Sequence, residues 1–528
     1  MTYDISLLTV SQNSKNLKTL LDSIENSNLM NTWIELLCSW NADEECTLDM
    51  SEYSFDVKII NEKPYHFSKN NNMLAEEAQG KYLLFINDDV ELDKDCLKKS
   101  YKAIQKREIG MVGVNLRFVN QNVQHAGVFF DEDNMPYHRY KNQIHYTDPR
   151  IGNNLVVPAI TGAYILMEKR EFLEIKFEEK CEVAAQDIIL CVEYKNMFQK
   201  DILYVADATA VHYENATRRL YDQRVTPPND LALMKASMTA YDTEKFRKRN
   251  ERLRVRIVTE KPGWIMHRKA EEIAKRLPNA VINEEYPDAN IHYYINYGYF
   301  NKRPASGVVI ANYTHYDPDK LNDKWESVAR EVDHCTAVAN TAAEDVKRFG
   351  IPEEKITVIP VGADKSFKPK MTLGLVGRVY PGGRKGEHLV HALLEDEALM
   401  ENLQIVALND SWGVPTWKFD DMADFYRSID YLLIPSLYEG GPVPFMEALA
   451  CGTMAIAPAI GVVPDFPHIE YKWNDIDSMK NTILNLKNEF LERKHRVSHT
   501  IEPYNWDTWA LKHIALFHRL LDEEKDKK

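Results

Sequence analysis

The 528-residue sequence contains no apolar run of about 18 residues, the length that a membrane-spanning helix needs. Its seven cysteines form no C-x-x-C pair, which argues against a zinc site and a disulfide framework and favours reduced thiols. The amino-terminal residues MTYDISLLTV carry no basic region before their apolar residues, unlike a secretory signal. These absences predict a cytoplasmic protein without a membrane span.

Positive charge is also scarce, because 65 Lys and Arg stand against 80 Asp and Glu, for a net charge of −15. This balance argues against broad binding to nucleic acid or to an anionic membrane. One basic run, residues 245–254, leaves peripheral membrane contact open, but charge runs of this kind are typical of a solvated helical connector. The length predicts two to four domains, and the sequence has no internal repeat.

A strand, a glycine-rich turn and a helix follow one another late in the chain. The apolar run Tyr431–Pro435 predicts a buried strand, Gly440 lies in the turn, and Pro444–Ala450 predicts a helix. A helix N-terminus after a glycine-rich turn binds anions such as phosphate. Glu439 and Glu447 flank the turn and could accept hydrogen bonds from sugar and ribose hydroxyls. An ordinary α/β loop with surface glutamates is the alternative.

This stretch resembles the E-x7-E signature of retaining glycosyltransferases of family 4, which have the GT-B fold and need no metal. The resemblance implies that Glu439 contacts the donor sugar, that Glu447 contacts the donor ribose and that Gly440 lies against the donor. Arg378 and Lys385 match the family's G-R and K-G positions, where the two side chains neutralise the donor diphosphate.

Further strands precede this region and predict the acceptor-side half of the same GT-B fold. They are expected at residues 254–258, 291–295, 307–311, 335–339 and 356–359. His315 follows the third of these strands. We expect it to contact the donor sugar or the reacting centre. The segment Trp506–Leu521 is amphipathic, and in the family such a helix crosses back to the first half.

Polar residues also follow predicted strands near the amino terminus. Strands are expected at Ile5–Val10, Ile34–Ser39 and Val57–Asn61, and the apolar run at 81–86 ends in Asn87-Asp88-Asp89. Open α/β sheets bind ligands at the carboxyl ends of their strands, and carboxylates there can hold a divalent cation. The alternative is a helix N-cap at these aspartates, because the sequence from Leu92 onward predicts a helix.

The order of these pieces over most of residues 1–220 resembles inverting family 2 glycosyltransferases, which have the GT-A fold. The resemblance implies that Asp89 and His212 bind Mn²⁺ or Mg²⁺ and that Asp187 is the general base for the acceptor hydroxyl. The residues expected to line the nucleotide are Thr9, Asn41, Asp43, Asn72 and Asp88. Gln186 and Ile189 stand where the family has acidic residues.

The sequence therefore predicts an α/β protein with a GT-A nucleotide-sugar-binding domain followed by a GT-B pair of Rossmann-like domains. The predicted boundaries are 1–222 for the GT-A domain, 223–251 for a helical linker, 252–368 for the acceptor-side half and 369–528 for the donor-side half. The expected function is that of a bifunctional glycosyltransferase acting from nucleotide-sugars on a glycan or lipid-linked glycan. Two alternatives remain: a single active module beside a binding scaffold, or a phage-type enzyme that modifies nucleic acid or protein.

Overall fold

A computed structural model describes residues 3–29, 32–131, 133–214, 227–240, 243–316, 322–379 and 381–527. The chain divides into two compact units, Met1–Pro360 with Asp507–Lys528, and Val361–Trp506. Mixed and parallel sheets with helices beside them form both units, so the predicted α/β class is confirmed. The predicted boundary between residues 222 and 223 falls outside the described residues.

The first unit begins with a ten-stranded mixed sheet and a small hairpin. The strands are β1 (Ile5–Ser11), β2 (Ile34–Trp40), β3 (Asp56–Asn61), β4 (Tyr82–Ile86), β5 (Val90–Leu92), β6 (Ile109–Arg117), β7 (Val123–His125), β8 (Val128–Phe130), β9 (Pro136–His138), β10 (Leu155–Val156), β11 (Tyr164–Glu168) and β12 (Asp201–His212). The helices are α1 (Ser14–Glu25), α2 (Phe67–Glu77), α3 (Cys96–Ile104), α4 (Lys169–Ile175) and α5 (Gln186–Phe198).

The main path of this sheet runs β10-β12-β6-β11-β4-β1-β2-β3, with β5 paired to β12 and β7 to β6. Strands β1, β2, β3 and β4 are parallel, and β11 runs antiparallel between β4 and β6. β1, β2 and β4 are buried almost throughout because both faces of the sheet are covered. This topology brings the carboxyl ends of β1, β4 and β12 to one edge.

The structure corrects one expectation at this edge. The sequence from Leu92 onward predicts a helix, but Val90–Leu92 is strand β5 and the helix begins at Cys96. Val90 pairs with His212 and Leu92 pairs with Ala210 of β12. A pairing partner more than a hundred residues away therefore overrides the local helical pattern.

Two helices connect this sheet to a second one within the first unit. They are α6 (Pro228–Thr239) and α7 (Glu244–Asn250), which lie within the range 223–251. The second sheet contains β13 (Val255–Val258), β14 (Ala280–Ile282), β15 (Ile291–Tyr294), β16 (Val308–Tyr313), β17 (His334–Ala337) and β18 (Ile356–Val358), with α8 (Ile265–Ala274), α9 (Asn322–Glu331) and α10 (Asn340–Arg348). All its strands are parallel, in the order β14-β13-β15-β16-β17-β18.

The second unit is a parallel five-stranded sheet with helices. Its strands are β19 (Met371–Leu375), β20 (Leu403–Ala407), β21 (Tyr431–Leu433), β22 (Ala455–Ala457) and β23 (Ile469–Glu470), in the order β20-β19-β21-β22-β23. Its helices are α11 (Glu387–Leu394), α12 (Glu397–Met400), α13 (Met422–Ser428), α14 (Val443–Ala450) and α15 (Ile476–Ser498). The last helix, α16 (Trp506–Asp526), groups with the first unit from Asp507 onward.

Candidate active sites

A cavity of about 460 Å³ opens at the sheet edge where β1, β4 and β12 end. Its size falls within the range of small-molecule sites in proteins. The residues that line it include every member of two runs, 85–89 and 182–187, together with His212 and Gln124. The structure therefore brings Asp88, Asp89, Asp187 and His212, which the sequence places far apart, around one space.

Asp89 and His212 lie side by side in this cavity. Asp89 Oδ1 is 3.0 Å from His212 Nε2, and both side chains are about nine-tenths buried. The pairing of β5 with β12 produces this contact, because Tyr213 N–H donates to the Asp89 carbonyl at 3.0 Å. His212 Nδ1 lies 2.7 Å from Gln124 Oε1, a contact in which the ring nitrogen donates. That hydrogen bond leaves a lone pair on Nε2, the nitrogen that faces Asp89.

The side chains of Asp89 and His212 suit a divalent cation that a substrate also helps to hold. Among the described residues, no group of three or more His, Cys, Asp and Glu side chains is arranged to hold a metal by itself. One carboxylate and one imidazole are nevertheless normal protein ligands for Mn²⁺, and Mg²⁺ is commonly held by one or two carboxylates plus substrate phosphates. Asp89 and His212 therefore fit a metal site that a bound diphosphate would complete.

Asp88 is a buried carboxyl that contacts the end of β1. Its Oδ2 accepts a hydrogen bond from Ser11 Oγ at 2.7 Å. Burial raises the pKa of Asp88 to about 7; the neighbouring Asp89 carboxylate also raises it, whereas the Ser11 hydrogen bond lowers it. Two adjacent buried carboxyls make this end of the cavity a favourable environment for a cation.

Asp187 lies across the cavity, in the first turn of α5. Its Oδ2 accepts a hydrogen bond from Gly162 N–H at 2.8 Å, and its Oδ1 accepts one from Ile188 N–H at 2.9 Å. A carboxylate in the first helical turn interacts favourably with the helix dipole. Two backbone N–H groups therefore orient this carboxylate, and Asp187 lines the cavity.

The other predicted nucleotide contacts differ in where they lie. Thr9 Oγ1 and Asn41 Oδ1, at the ends of β1 and β2, are buried and have no hydrogen-bond partner among the described residues. Asp43 is fully exposed and pairs with Lys63 at 2.8 Å. Asn72 donates to the Phe177 carbonyl at 3.0 Å and accepts from Phe177 N–H at 2.9 Å, and it is not one of the described residues that line the cavity.

The second unit has its own charged cluster, at the point where its strand order reverses. β20 lies on one side of β19 and β21 on the other, so the crevice between the ends of β19 and β21 is the expected ligand position. The loop after β19 reaches this crevice because Gly386, at φ +73°, packs on Pro435: a Cβ there would lie 1.9 Å from the Pro435 carbonyl oxygen. Leu437 N–H also donates to the Arg384 carbonyl at 2.9 Å.

Lys385 and Glu439 form a largely buried ion pair in this crevice. Ser436 Oγ donates to the same carboxylate oxygen of Glu439 at 3.1 Å. A neighbouring cavity of about 350 Å³ is lined by Arg384, Leu437, Tyr438, Glu439, Gly440, Ile460 and Gly461. The ammonium group of Lys385 and the carboxylate of Glu439 therefore neutralise each other at the edge of this cavity.

Glu447 lies on the first turns of α14. Its Oε2 accepts a hydrogen bond from the hydroxyl of Tyr426, a buried residue of α13, at 2.7 Å. Burial, followed by the contact with Glu447, raises the pKa of Tyr426 well above its ordinary value. The phenol therefore stays protonated and donates to the carboxylate throughout the physiological pH range.

Two other predicted residues occupy exposed positions. Arg378 follows β19 and is exposed. His315 follows β16, as expected, and its Nδ1 lies 3.0 Å from Thr314 Oγ1. His315 belongs to the first unit and Glu439 to the second.

Several side chains that the sequence analysis did not assign support these sites. Gln124 orients His212, Ser11 contacts Asp88, and Tyr426 contacts Glu447. Gln124 lies in strand β7, which pairs with β6. Ser11 and Tyr426 are single polar residues at a strand end and in a helix, and nothing local marks them.

Comparison with known proteins identifies two segments, one with Asp88, Asp89 and Gln124 of the first cluster and one with Lys385, Glu439 and Glu447 of the second. Residues 9–161 match the family described as "Glycosyl transferase family 2", and residues 372–487 match the family described as "Glycosyl transferases group 1". The predicted tandem of a family 2 segment and a GT-B-type segment is therefore confirmed, as is the predicted glycosyltransferase class. Within the described residues, no helix has the length and apolar character needed to cross a membrane.

Curated relatives match one part of the chain or another. "O-antigen biosynthesis protein RfbC" from Myxococcus xanthus is 27% identical over 214 residues, which are 38% of this chain and 16% of that protein. "MMP alpha-(1->4)-mannosyltransferase" from Mycolicibacterium hassiacum is 30% identical over 167 residues, which are 26% of this chain and 40% of that protein. The chain thus spans less than half the length of either relative.

Among solved structures, the chain is similar to Staphylococcus aureus TarS residues 1–349 in complex with UDP-GlcNAc. The TM-score is 0.33 and the identity is 16%, covering 47% of this chain and 70% of that one. The structure of GalNAc-T7 with UDP, GalNAc and Mn²⁺ has a TM-score of 0.34 and 13% identity, covering 43% of this chain and 47% of that one.

Proposed function

We propose that this chain is a bifunctional glycosyltransferase of the hexosyltransferase type, with one inverting, metal-dependent site and one retaining, metal-independent site. The observation that carries the proposal is that each of two sheets has its own cluster of charged side chains at the carboxyl ends of parallel strands. The matched name of the Myxococcus relative supports polysaccharide biosynthesis as the process. The seven free thiols support a reducing compartment such as the cytoplasm.

In the proposed inverting reaction, Asp187 acts as the general base. It takes the proton of the acceptor hydroxyl as that oxygen forms a bond to the anomeric carbon of the donor sugar. The bond from this carbon to the diphosphate breaks at the same time, and its electron pair leaves with the diphosphate. Since attack and departure occur on opposite faces, the anomeric configuration inverts.

Asp89 and His212 would hold Mn²⁺ or Mg²⁺ at the other end of the same cavity. A bound cation supplies electrostatic stabilisation of the negative charge that develops on the diphosphate leaving group. Gln124 keeps the His212 ring in the orientation that this requires, through its 2.7 Å contact with Nδ1. The proposed nucleotide contacts are Thr9, Asn41, Asp43, Asn72 and Asp88; among them, Asp88 lines the cavity, and the buried oxygens of Thr9 and Asn41 lack partners among the described residues.

In the proposed retaining site, the charged groups bind the donor without a metal. Lys385 and Arg378 would neutralise the diphosphate, and Gly440 would present its backbone to the donor. Glu439 would contact the sugar and Glu447 the ribose. His315 is proposed to contribute from the acceptor side. The ion pair between Lys385 and Glu439 supports this reading, because both groups are held together, largely buried, beside a cavity.

The test uses the full chain and a panel of UDP-, GDP- and dTDP-linked hexoses, with release of the nucleoside diphosphate as the signal. It compares Asp89→Ala with Glu447→Ala, each in Mn²⁺ and in EDTA. We expect Asp89→Ala to lower the Mn²⁺-dependent turnover by about 100-fold or more and to leave the metal-independent turnover unchanged. Glu447→Ala should lower the metal-independent turnover and leave the Mn²⁺-dependent turnover unchanged.

Exposed acidic residues provide the matched controls. Asp133→Ala and Glu489→Ala change surface carboxylates of the same two regions and should leave both turnovers unchanged. If Asp89→Ala has no effect, the first module binds rather than transfers, and the bifunctional proposal is wrong. Retention of the chain on DNA resin at physiological salt would instead support a nucleic-acid substrate.

A further inference from the structure

The loop before Asp187 forms one wall of the first cavity and is held from outside that cavity. Residues 182–187 are six consecutive residues that all line the cavity. Ala185, the residue before α5, has a left-handed backbone conformation at φ +69°, which residues other than glycine adopt only at an energetic cost. A loop in such a conformation needs other contacts to stabilise it.

Asp230, in the first turn of α6, supplies those contacts. Its carboxylate accepts three backbone hydrogen bonds, from Glu182 N–H at 3.0 Å, Val183 N–H at 2.9 Å and Ala184 N–H at 2.9 Å. The Asp230 side chain is fully buried. Next to it, Asn229 Nδ2 donates to the Lys180 carbonyl at 3.1 Å.

The chemistry of this contact is specific to a carboxylate. A buried carboxylate is costly unless hydrogen bonds satisfy it, and three N–H donors do so here. An amide in its place would offer one oxygen and would turn an NH₂ group toward N–H donors. The loop and the carboxylate therefore stabilise each other, although they lie almost fifty residues apart in the sequence.

We propose that Asp230 is a positioning residue of the inverting site: it fixes the 182–184 loop and thereby the placement of the general base Asp187. This inference rests on the function proposed above for Asp187. It also assigns a role to helix α6, which belongs to the predicted linker: the linker completes the first active site as well as connecting two domains.

The test replaces Asp230 by Asn in the full chain. It measures backbone hydrogen exchange of residues 182–184 and the Mn²⁺-dependent release of nucleoside diphosphate from the active member of the donor panel. We expect exchange of these amides to be at least about tenfold faster and kcat to fall about 10- to 100-fold, since a misplacement near 1 Å costs about 100-fold. The KM for the donor should stay within about twofold.

Ser237→Ala is the matched control on the same helix. Ser237 is buried and its hydroxyl donates to the Met234 carbonyl at 2.7 Å, within α6 and away from the loop. The Ser237→Ala substitution should leave the hydrogen exchange of residues 182–184 and kcat unchanged. The metal-independent turnover of the second module, measured in the same samples, reports whether each variant chain is folded.

The outcomes separate this inference from the proposed function. Unchanged exchange at residues 182–184, or an unchanged kcat, in Asp230→Asn overturns the inference. So does a general increase in exchange across the first unit with kcat and KM altered together, because that pattern indicates a structural role alone. If Asp187→Asn itself retains the Mn²⁺-dependent turnover, the proposed function is wrong, whatever Asp230→Asn does.

Discussion

At the scale of single residues, each proposed site depends on a neutral side chain that orients a residue proposed to bind the metal or the donor. Gln124 orients the imidazole of His212 in the first site, and Tyr426 orients the carboxylate of Glu447 in the second. Neither neutral residue carries charge to the substrate. Each restricts the rotamers of its partner, so the partner loses less conformational entropy when it binds a ligand.

Tyr426→Phe tests this idea in the second site. The substitution removes the hydroxyl that donates to Glu447 at 2.7 Å and keeps the buried ring. A hydrogen bond to a charged group contributes about 1.5–3 kcal/mol, so we expect the KM for the metal-independent donor to rise about 10-fold or more. If Glu447 contacts only the ribose, kcat should change little, because such a contact is equal in the ground and transition states.

The control is Tyr471→Phe in the same unit. The Tyr471 hydroxyl is also buried and donates to the Ile434 carbonyl at 3.0 Å, but it does not touch Glu447. Steady-state kinetics with the same donor compares the two variants. An equal rise in KM for both would mean that the effect comes from packing of the unit and not from the orientation of Glu447.

At the scale of elements, the long apolar strands were predictable and the contacts between distant elements were not. Ile5–Val10 and Ile34–Ser39 were expected as strands, and the structure extends each by one residue, to Ser11 and Trp40. Most of their residues are apolar, which follows from burial of the strands on both faces. Strand β5 was missed because only pairing with β12 makes residues 90–92 extended.

In the candidate sites too, some positions were predictable from the sequence and contacts between distant elements were not. Asp89 and His212 were expected to meet, because both end strands of a sheet whose topology the resemblance implied. The pairing of the Asn72 amide with Phe177, which lies 105 residues away, could not be predicted. Asp230 gave no signal at all, because its three backbone partners belong to a loop that local sequence patterns cannot connect to α6.

Helix α16 contains two buried histidines and should make the first unit sensitive to acid. Burial lowers the pKa of His513 to about 3, with nearby Lys269 and Lys512 lowering it further, and burial lowers the pKa of His518 well below its ordinary value. His513 Nδ1 donates to the Trp509 carbonyl at 2.9 Å, so Nε2 accepts from the Tyr293 hydroxyl at 2.9 Å, an arrangement that requires the neutral ring.

The pH dependence follows from these lowered values. Between about pH 3 and 6.5 the unfolded chain binds a proton at His513 that the folded chain does not, so stability is greatest above pH 6.5 and falls with acidification. The expected slope is up to about 1.4 kcal/mol per pH unit for one such histidine. His513→Gln should reduce the slope of the unfolding free energy between pH 6.5 and 5 by nearly that amount.

Urea unfolding of the first unit at several pH values provides the measurement. His499→Gln is the control, since the His499 side chain is 64% exposed and belongs to the second unit. It should leave the slope of the first unit unchanged. Equal slopes in the wild-type chain and in His513→Gln would mean that His513 is protonated in the folded state, contrary to its neutral hydrogen-bonding pattern.

At the scale of the whole molecule, the first unit joins parts of both predicted modules. The family 2 sheet, the linker helices and the second sheet form one compact unit with the carboxyl-terminal helix. Asp522 of α16 pairs with Arg170 of α4 at 2.7 Å and with Arg252, just before β13, at 2.9 Å. One carboxylate thus contacts both the first sheet's helical layer and the start of the second sheet.

Asp522→Asn should therefore destabilise the first unit through both of its sheets at once. Both oxygens of Asp522 accept hydrogen bonds from the Arg252 guanidinium, at 2.9 and 3.1 Å, and only 16% of the Asp522 side chain is exposed. Loss of this bidentate pair and of the Arg170 contact should cost about 1–3 kcal/mol, more than an exposed pair. For a unit of this size we expect the midpoint of thermal unfolding to fall by at least about 2 °C.

Asp526→Asn, an exposed change one turn further along the same helix, should leave the midpoint unchanged. Calorimetry of the two variants decides the matter: the same midpoint for both would mean that packing of α16, without this ion pair, holds the two sheets in one unit.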